Sequence, residues 1–290
     1  MLTSLFYKKN NLTIHKFVLQ KYELVYVLLF FLLPCNLPCQ TNEEKYIKDG
    51  LEKYDLLDYS GAVNDFNKAI EINPNNAEIY YWRGFAKAFL KDYKGEIKDY
   101  TKAIQIKPKY VEAYFYRGIA KVNSKDYAGA INDYTKAIEI NPNNAEFYYN
   151  RGLAKTFLKD YAGEIKDYTK AIEINPNYEK AYANRGLAKS FLKDYEGVIQ
   201  DCTKAIEINP ANVGAYNDRG LAKYYLKKYS EAIKDYNKAI KLNSNYAIPY
   251  TMRGLAKHYL DDKAGACLDW RRAGELGYSE AYDLIKKYCN

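Results

Sequence analysis

The chain has 290 residues, with 44 Lys and Arg against 36 Asp and Glu for a net charge of +8 at pH 7. A surplus this mild, with lysines and acids alternating along the chain, contains no basic block of the kind that marks a nucleic-acid footprint. Two histidines, and five cysteines without paired spacing, supply no zinc-type ligand set, and no nucleophile–base arrangement is visible, so neither a metal, a cofactor nor an enzyme activity is expected.

The first element in chain order is the uninterrupted apolar run Leu24–Leu33, bounded by Glu23 and Pro34. It has about half the length of a membrane-spanning helix. With Lys8, Lys9, Lys16 and Lys21 upstream it reads as a secretory signal over residues 1–39, cleaved after Cys39. Export to a periplasmic or extracellular space is therefore expected, with only transient membrane contact. Cys35 and Cys39 leave membrane anchorage through this segment as an alternative, although Pro34 and Pro38 precede them where lipid attachment favours a small residue.

From residue 43 the chain repeats itself. Arg-Gly recurs at Arg83-Gly84, Arg117-Gly118, Arg151-Gly152, Arg185-Gly186, Arg219-Gly220 and Arg253-Gly254, always 34 residues apart. Pro74, Pro108, Pro142, Pro176 and Pro210 keep the same period, and Ser244 takes the next slot. The frame gives units 43–76, 77–110, 111–144, 145–178, 179–212, 213–246 and 247–280, with a tail, 281–290, predicted to be a capping helix. Modules of this length stack into a linear array without a single central core.

Each unit is predicted to hold two helices. In 145–178 the stretch Ala145–Leu158 is free of proline, and Lys159-Asp160 makes a turn in which Asp160 caps the next helix. Tyr161, Ile165, Tyr168 and Ile172 then lie on one helical face until Asn175-Pro176 ends the pattern. Most of the 33 tyrosines fall in such periodic core slots, which makes them structural.

Gly152, the aromatics Tyr148, Tyr161 and Tyr168, Ala171 and Pro176, repeated in phase, resemble the tetratricopeptide repeat over residues 43–280. The resemblance implies an all-α fold, an α-solenoid in which antiparallel helix pairs wind into a right-handed superhelix and first helices line a concave groove. Glu96, Glu164 and Val198 depart from the family's small residue at their slot. It further implies a non-enzymatic scaffold that binds a protein or peptide segment. The groove slots so implied are Tyr81, Phe85, Phe89, Phe115, Ile119, Tyr149, Leu153, Phe157 and Phe191, with Ala183, Leu187, Asn217 and Leu221 farther along. Equally open is that these side chains pack sideways on neighbouring first helices. Members that clamp a C-terminal carboxylate place lysine and asparagine there, so that mode is not expected. RNA binding, with Lys53, Lys87, Lys121, Lys155, Lys189, Lys223 and Lys257 on phosphates, is one alternative, and a regulatory subunit of an enzyme is another.

Aspartate recurs at Asp65, Asp99, Asp133, Asp167, Asp201, Asp235 and Asp269, in the phase of the arginines. Pairing within a unit would set Asp65 against Asp49, so pairing between units is expected: Asp65 with Arg83, Asp235 with Arg253, Asp269 with Lys287. Cys202 takes a tyrosine slot as a small core residue. Cys267 and Cys289 are a candidate disulfide at the array's end, provided the tail helix unwinds near Cys289.

Overall fold

Residues 41–289 are described by the structure, a computed structural model, and they contain fifteen α-helices and no strand. The expected signal segment, with Cys35 and Cys39, lies outside the described residues. Helices α1 (Asn42–Asp55) and α2 (Tyr59–Ile72) form the first unit. The next are α3 (Ala77–Phe89) with α4 (Tyr93–Ile106), α5 (Val111–Asn123) with α6 (Tyr127–Ile140), and α7 (Ala145–Phe157) with α8 (Tyr161–Ile174). They are followed by α9 (Glu179–Phe191) with α10 (Tyr195–Ile208), α11 (Val213–Tyr225) with α12 (Tyr229–Leu242), and α13 (Ala247–His258) with α14 (Lys263–Glu275). The last helix, α15 (Glu280–Tyr288), packs on α14. From Tyr46 onward this is one unit, in which each helix packs on its successor and first helices of neighbouring units also touch. That is an α-solenoid.

The turns between paired helices explain where the second helix starts. Asp58, Asp92, Asp126, Asp160, Asp194 and Asp262 each accept a hydrogen bond from the glycine N–H three residues on, at 2.8–3.0 Å. The residue before each cap is left-handed: Lys159 has φ 58°, and Leu57, Lys91, Lys125, Lys193, Lys227 and Asp261 match it. At Lys159 the Asp160 N–H reaches the Lys155 carbonyl and the Lys159 N–H the Thr156 carbonyl. These are the two bonds of a Schellman ending, which usually has glycine at that place.

Within a unit the two helices meet at glycine. A Cβ on Gly152 would lie 2.7 Å from the Tyr168 ring, so only glycine lets that ring lie against the first helix. Glu96, Glu164 and Val198, which replace a small residue, are all buried. Burial pushes the Glu164 carboxyl above its ordinary value, with Thr156 and Tyr168 beside it partly offsetting the rise.

The charge ladder runs within units, which corrects the expected pairing. Arg151 gives Nε and Nη2 to Asp167 at 3.0 and 2.6 Å, and Lys155 joins at 2.8 Å. Asp269 likewise takes Arg253 and Lys257, not Lys287. The antiparallel partners within a unit bring residues 16 apart side by side, and an acidic Asp49 in the first arginine slot is accommodated because Asp65 turns to Lys53 and Lys68. Burial raises the Asp65 carboxyl, and the hydrogen bonds and charges of those two lysines outweigh it and leave the value lowered. What crosses between units is the third arginine bond: Arg151 Nη1 reaches Thr135 Oγ1 at 3.0 Å, and Arg83 Nη1 reaches Asn67 Oδ1 at 2.7 Å. Each guanidinium also lies over the tyrosine three residues earlier, as Arg151 does over Tyr148 at 5.6 Å.

At the far end Trp270 takes the tyrosine slot and donates Nε1 to the Thr251 carbonyl at 3.2 Å. Cys267 and Cys289 are joined by a disulfide with Cα atoms 5.8 Å apart, and Cys289 lies just past the helical residues of α15. Their separation of 22 residues corresponds to about 3 kcal/mol of restraint in the chain-entropy account.

Candidate functional site

The first-helix residues implied to line a groove divide into two groups. Tyr81, Phe85, Phe115 and Tyr149 are buried. Tyr81 packs on Tyr100, Tyr110 and Tyr116, and Phe85 on Tyr54 and Tyr116. Phe115 contacts Tyr134 and Phe147, and Tyr149 contacts Tyr168 and Tyr178. These four residues are inter-unit core, a correction to the groove reading. The physical reason is that aromatic side chains of the same and neighbouring units close over these rings, as Tyr116 does over Phe85 and as Tyr168 and Tyr178 do over Tyr149. Burial pushes the Tyr149 hydroxyl up to about 12, although Asn184 Nδ2 donates to it at 3.0 Å.

Ile119, Leu153 and Phe89 are half-buried, while Phe157 and Phe191 are 57% and 54% exposed. Both rings stack at the array's edge: Phe157 on Tyr127 at 4.4 Å and 3°, Phe191 on Tyr161 at 4.5 Å and 9°. Phe89 on Tyr59, Tyr225 on Tyr195 and Tyr259 on Tyr229 repeat the pair, and Asn123 interrupts the series. In each pair the end of a first helix covers the start of the previous unit's second helix. Tyr225 and Tyr259 were missed at sequence level, although they share the 34-residue phase of Phe157 and Phe191.

A cleft of about 310 Å³ opens between α9 and α11, lined by Leu187, Phe191, Leu221 and Tyr225 with Asp218 among them and Lys193 at the turn. Three substitutions in phase set this junction apart from the one before it. The Tyr149–Tyr168–Tyr178 cluster of the fourth unit becomes Ala183, Cys202 and Asn212 in the fifth. A Cβ on Gly186 would first meet the Cys202 sulfur, at 3.3 Å, where one on Gly152 would meet a ring at 2.7 Å. Burial pushes the Asp218 carboxyl above its ordinary range, with the hydrogen bond from Asn217 Nδ2 at 3.0 Å opposing the shift. It also pushes the Cys202 thiol up, with Asp218 adding to the effect.

A second hollow, about 420 Å³, is lined by Tyr80, Arg83, Lys98, Asp99, Thr101, Lys102 and Gln105. Arg83 and Asp99 there are already paired by the ladder. His258 packs on Tyr288 with ring centroids 4.4 Å apart. Among the described residues no group of three or more His, Cys, Asp or Glu could hold a metal ion, and no helix is long and apolar enough to cross a membrane.

Sequence profiles of the "TPR repeat" match residues 50–88 and 121–155, and those of the "Tetratricopeptide repeat" match 77–110, 145–178, 179–212 and 213–246. The chain belongs to the tetratricopeptide-repeat family. No curated protein matches the sequence at a significant level. A tetratricopeptide-repeat protein of Parabacteroides merdae is 22% identical, with a TM-score of 0.62 over 86% of this chain and 99% of that one. The C-terminal part of a tetratricopeptide-repeat protein of Cytophaga hutchinsonii is 19% identical, with a TM-score of 0.70 over 82% and 98%. YrrB, described as a tetratricopeptide-repeat protein with an unusual peptide-binding site, is 21% identical, with a TM-score of 0.57 over 63% and 95%. At these identities the likeness concerns the fold.

Proposed function

We infer that this tetratricopeptide-repeat array is a non-enzymatic docking scaffold, and that it holds a peptide segment of a partner protein along the first helices of units four to six. The observation that carries the reading is the run of exposed apolar side chains there. Phe157, Leu187, Phe191 and Tyr225 stand out of the surface on successive first helices, beside a cleft that no side chain of the array fills. Solvent-facing apolar groups held on a rigid frame supply anchors for a partner at little entropic cost. A rigid frame is what the ladder provides. Export of the chain is part of the same proposal, and the Cys267–Cys289 bond suits an oxidising compartment.

Selection of phage-displayed random dodecapeptides on the full chain tests the reading. Enriched peptides should share a motif and lose retention on a Phe157→Asp/Phe191→Asp variant that keeps its helical circular dichroism. Enrichment indifferent to that double change removes the assigned surface. Fractionation of the source cells tests export, and finding the chain in the cytoplasm with residues 1–39 attached contradicts it.

A further inference from the structure

The docking surface contains one carboxylate that the array leaves without a cation. Each of the seven ladder aspartates holds two basic side chains, as Asp201 holds Arg185 and Lys189. Asp218 has no ion pair with any described lysine or arginine, and its polar partner is the neutral Asn217 amide. Lys193, at the rim of the same cleft, forms no ion pair with it. Cys202, Tyr236 and Tyr246, which feel its charge, and Tyr195 and Tyr225, which line the cleft with it, supply no cation.

A carboxylate at this slot is specific to this junction. One unit earlier the equivalent residue is Asn184, whose amide is satisfied by the Tyr149 hydroxyl 35 residues before it. For Asp218 the residue 35 before is Ala183, which offers no hydroxyl. A carboxylate has acceptor capacity for several donors, and partial desolvation raises the cost of leaving that capacity unused.

We propose that the cleft between α9 and α11 is a subsite for a basic side chain, arginine or lysine, of the docked segment. Asp218 accepts its N–H groups, and Leu187, Phe191, Leu221 and Tyr225 enclose its aliphatic stem. The assignment rests on the docking function inferred above. Long basic side chains match such a cleft because their methylenes bury while the charged head finds a counter-ion. The exposed face of Tyr225, backed by Tyr195 at 4.9 Å, adds a site for cation–π contact. An acidic residue would meet like charge, and an apolar one would bury the carboxylate further without a partner.

The test uses the immobilised full chain and four pools of N-acetylated, amidated dodecapeptides with random flanks. The central position is fixed as Arg, Lys, Leu or Glu, and retained peptide is quantified by mass spectrometry. The Arg and Lys pools should be retained about tenfold better than the Leu pool, the weight of one charge-assisted hydrogen bond. Asp218→Asn should abolish that preference, lowering retention of the Arg and Lys pools without lowering that of the Leu pool. Leu187→Arg, which places a cation of the chain's own in the cleft, should do the same. A basic preference that survives both variants overturns the subsite. So does equal retention of the Leu and Arg pools with sensitivity to Phe191→Asp, an outcome that leaves the docking surface standing. Retention of no pool above that of an unrelated control protein removes the docking function and the subsite together.

Discussion

Breaking the charge ladder inside the fourth unit should be costly, and the two partners should be coupled. The Arg151 side chain is 18% exposed and Asp167 2%. Arg151 makes two bonds to that carboxylate and a third across the unit boundary to Thr135. Its replacement by methionine keeps the stem but removes all three, while Lys155 remains to neutralise Asp167. A carboxylate that keeps one of two cations falls short of the full penalty for an isolated buried charge, so the expected loss is about 3 kcal/mol. Asp167→Asn leaves two cations that still reach water, at about 2 kcal/mol. The double variant should lose about 3 kcal/mol, close to Arg151→Met alone, which makes the coupling about 2 kcal/mol. Urea unfolding followed at 222 nm is the suitable assay, because guanidinium is itself a salt and screens charge. Asp65→Asn in the first unit is the internal control. Its partners Lys53 and Lys68 are 42% and 52% exposed, well above the 18% and 16% of Arg151 and Lys155, so its loss should be the smaller. Additive single losses, or an Asp65 variant as damaging as the Asp167 one, would refute the ladder as the register device.

Core and edge rings should separate cleanly: Phe85→Ala should cost about 3–4 kcal/mol as a core truncation and broaden unfolding, whereas Phe157→Ala should leave the urea midpoint nearly unchanged. Equal losses would place both rings in one environment. Lys159→Gly should raise stability by about 0.5 kcal/mol by relieving a left-handed lysine, read as a higher thermal midpoint; a lower midpoint contradicts the strain. Asp218→Asn should stabilise the chain at pH 7. The folded Asp218 carboxyl is raised by burial, so the native state binds its proton more tightly than the unfolded one. Native stability therefore falls as pH climbs from the ordinary aspartate value, near 4, through the raised folded one. The advantage of the variant should vanish near pH 3. A variant less stable than the parent at pH 7 would show that the charge is already compensated.

The helices, their order and their number were legible because a 34-residue period constrains every slot seven times over. Asp160 as a cap, Gly152 as a contact point and Cys202 as a core residue follow from local rules, and each is where those rules place it. The ladder was misassigned for a definite reason. Phase shows that Arg151 and Asp167 recur together, but a strict period is equally consistent with pairing 16 or 18 residues apart. The sign of Asp49 tipped the inference the wrong way, since Lys53 and Lys68 were free to substitute. Groove residues failed similarly. Tyr149 and Phe157 sit on one helix and both read as first-helix aromatics, yet only helix spacing decides that one is enclosed by Tyr168 and Tyr178 and the other stacks outward on Tyr127.

The departures from the repeat, rather than the repeat, carry whatever is individual about the chain. A residue common to all units must serve stacking, because stacking is what the units share. Cys202, Ala183 and Asn212 are unremarkable one at a time, each a smaller residue in an aromatic slot. Their joint effect appears only when the slots are known to converge, since the rings they replace touch one another in the fourth unit. Losing three mutually contacting rings at one junction removes apolar burial from the array. A random loss of that kind should be refilled by larger neighbours, as overpacked and underpacked cores both cost stability. Here the slots are closed by small side chains instead, Cys202 packing with Val198, Ala205, Ala215 and Ala222 against Ala183, while Asp218 lines a cleft with Leu187, Phe191, Leu221 and Tyr225. An array that gives up three contacting rings at one junction and desolvates a carboxylate there carries a local cost that a ligand with hydrogen-bond donors would relieve.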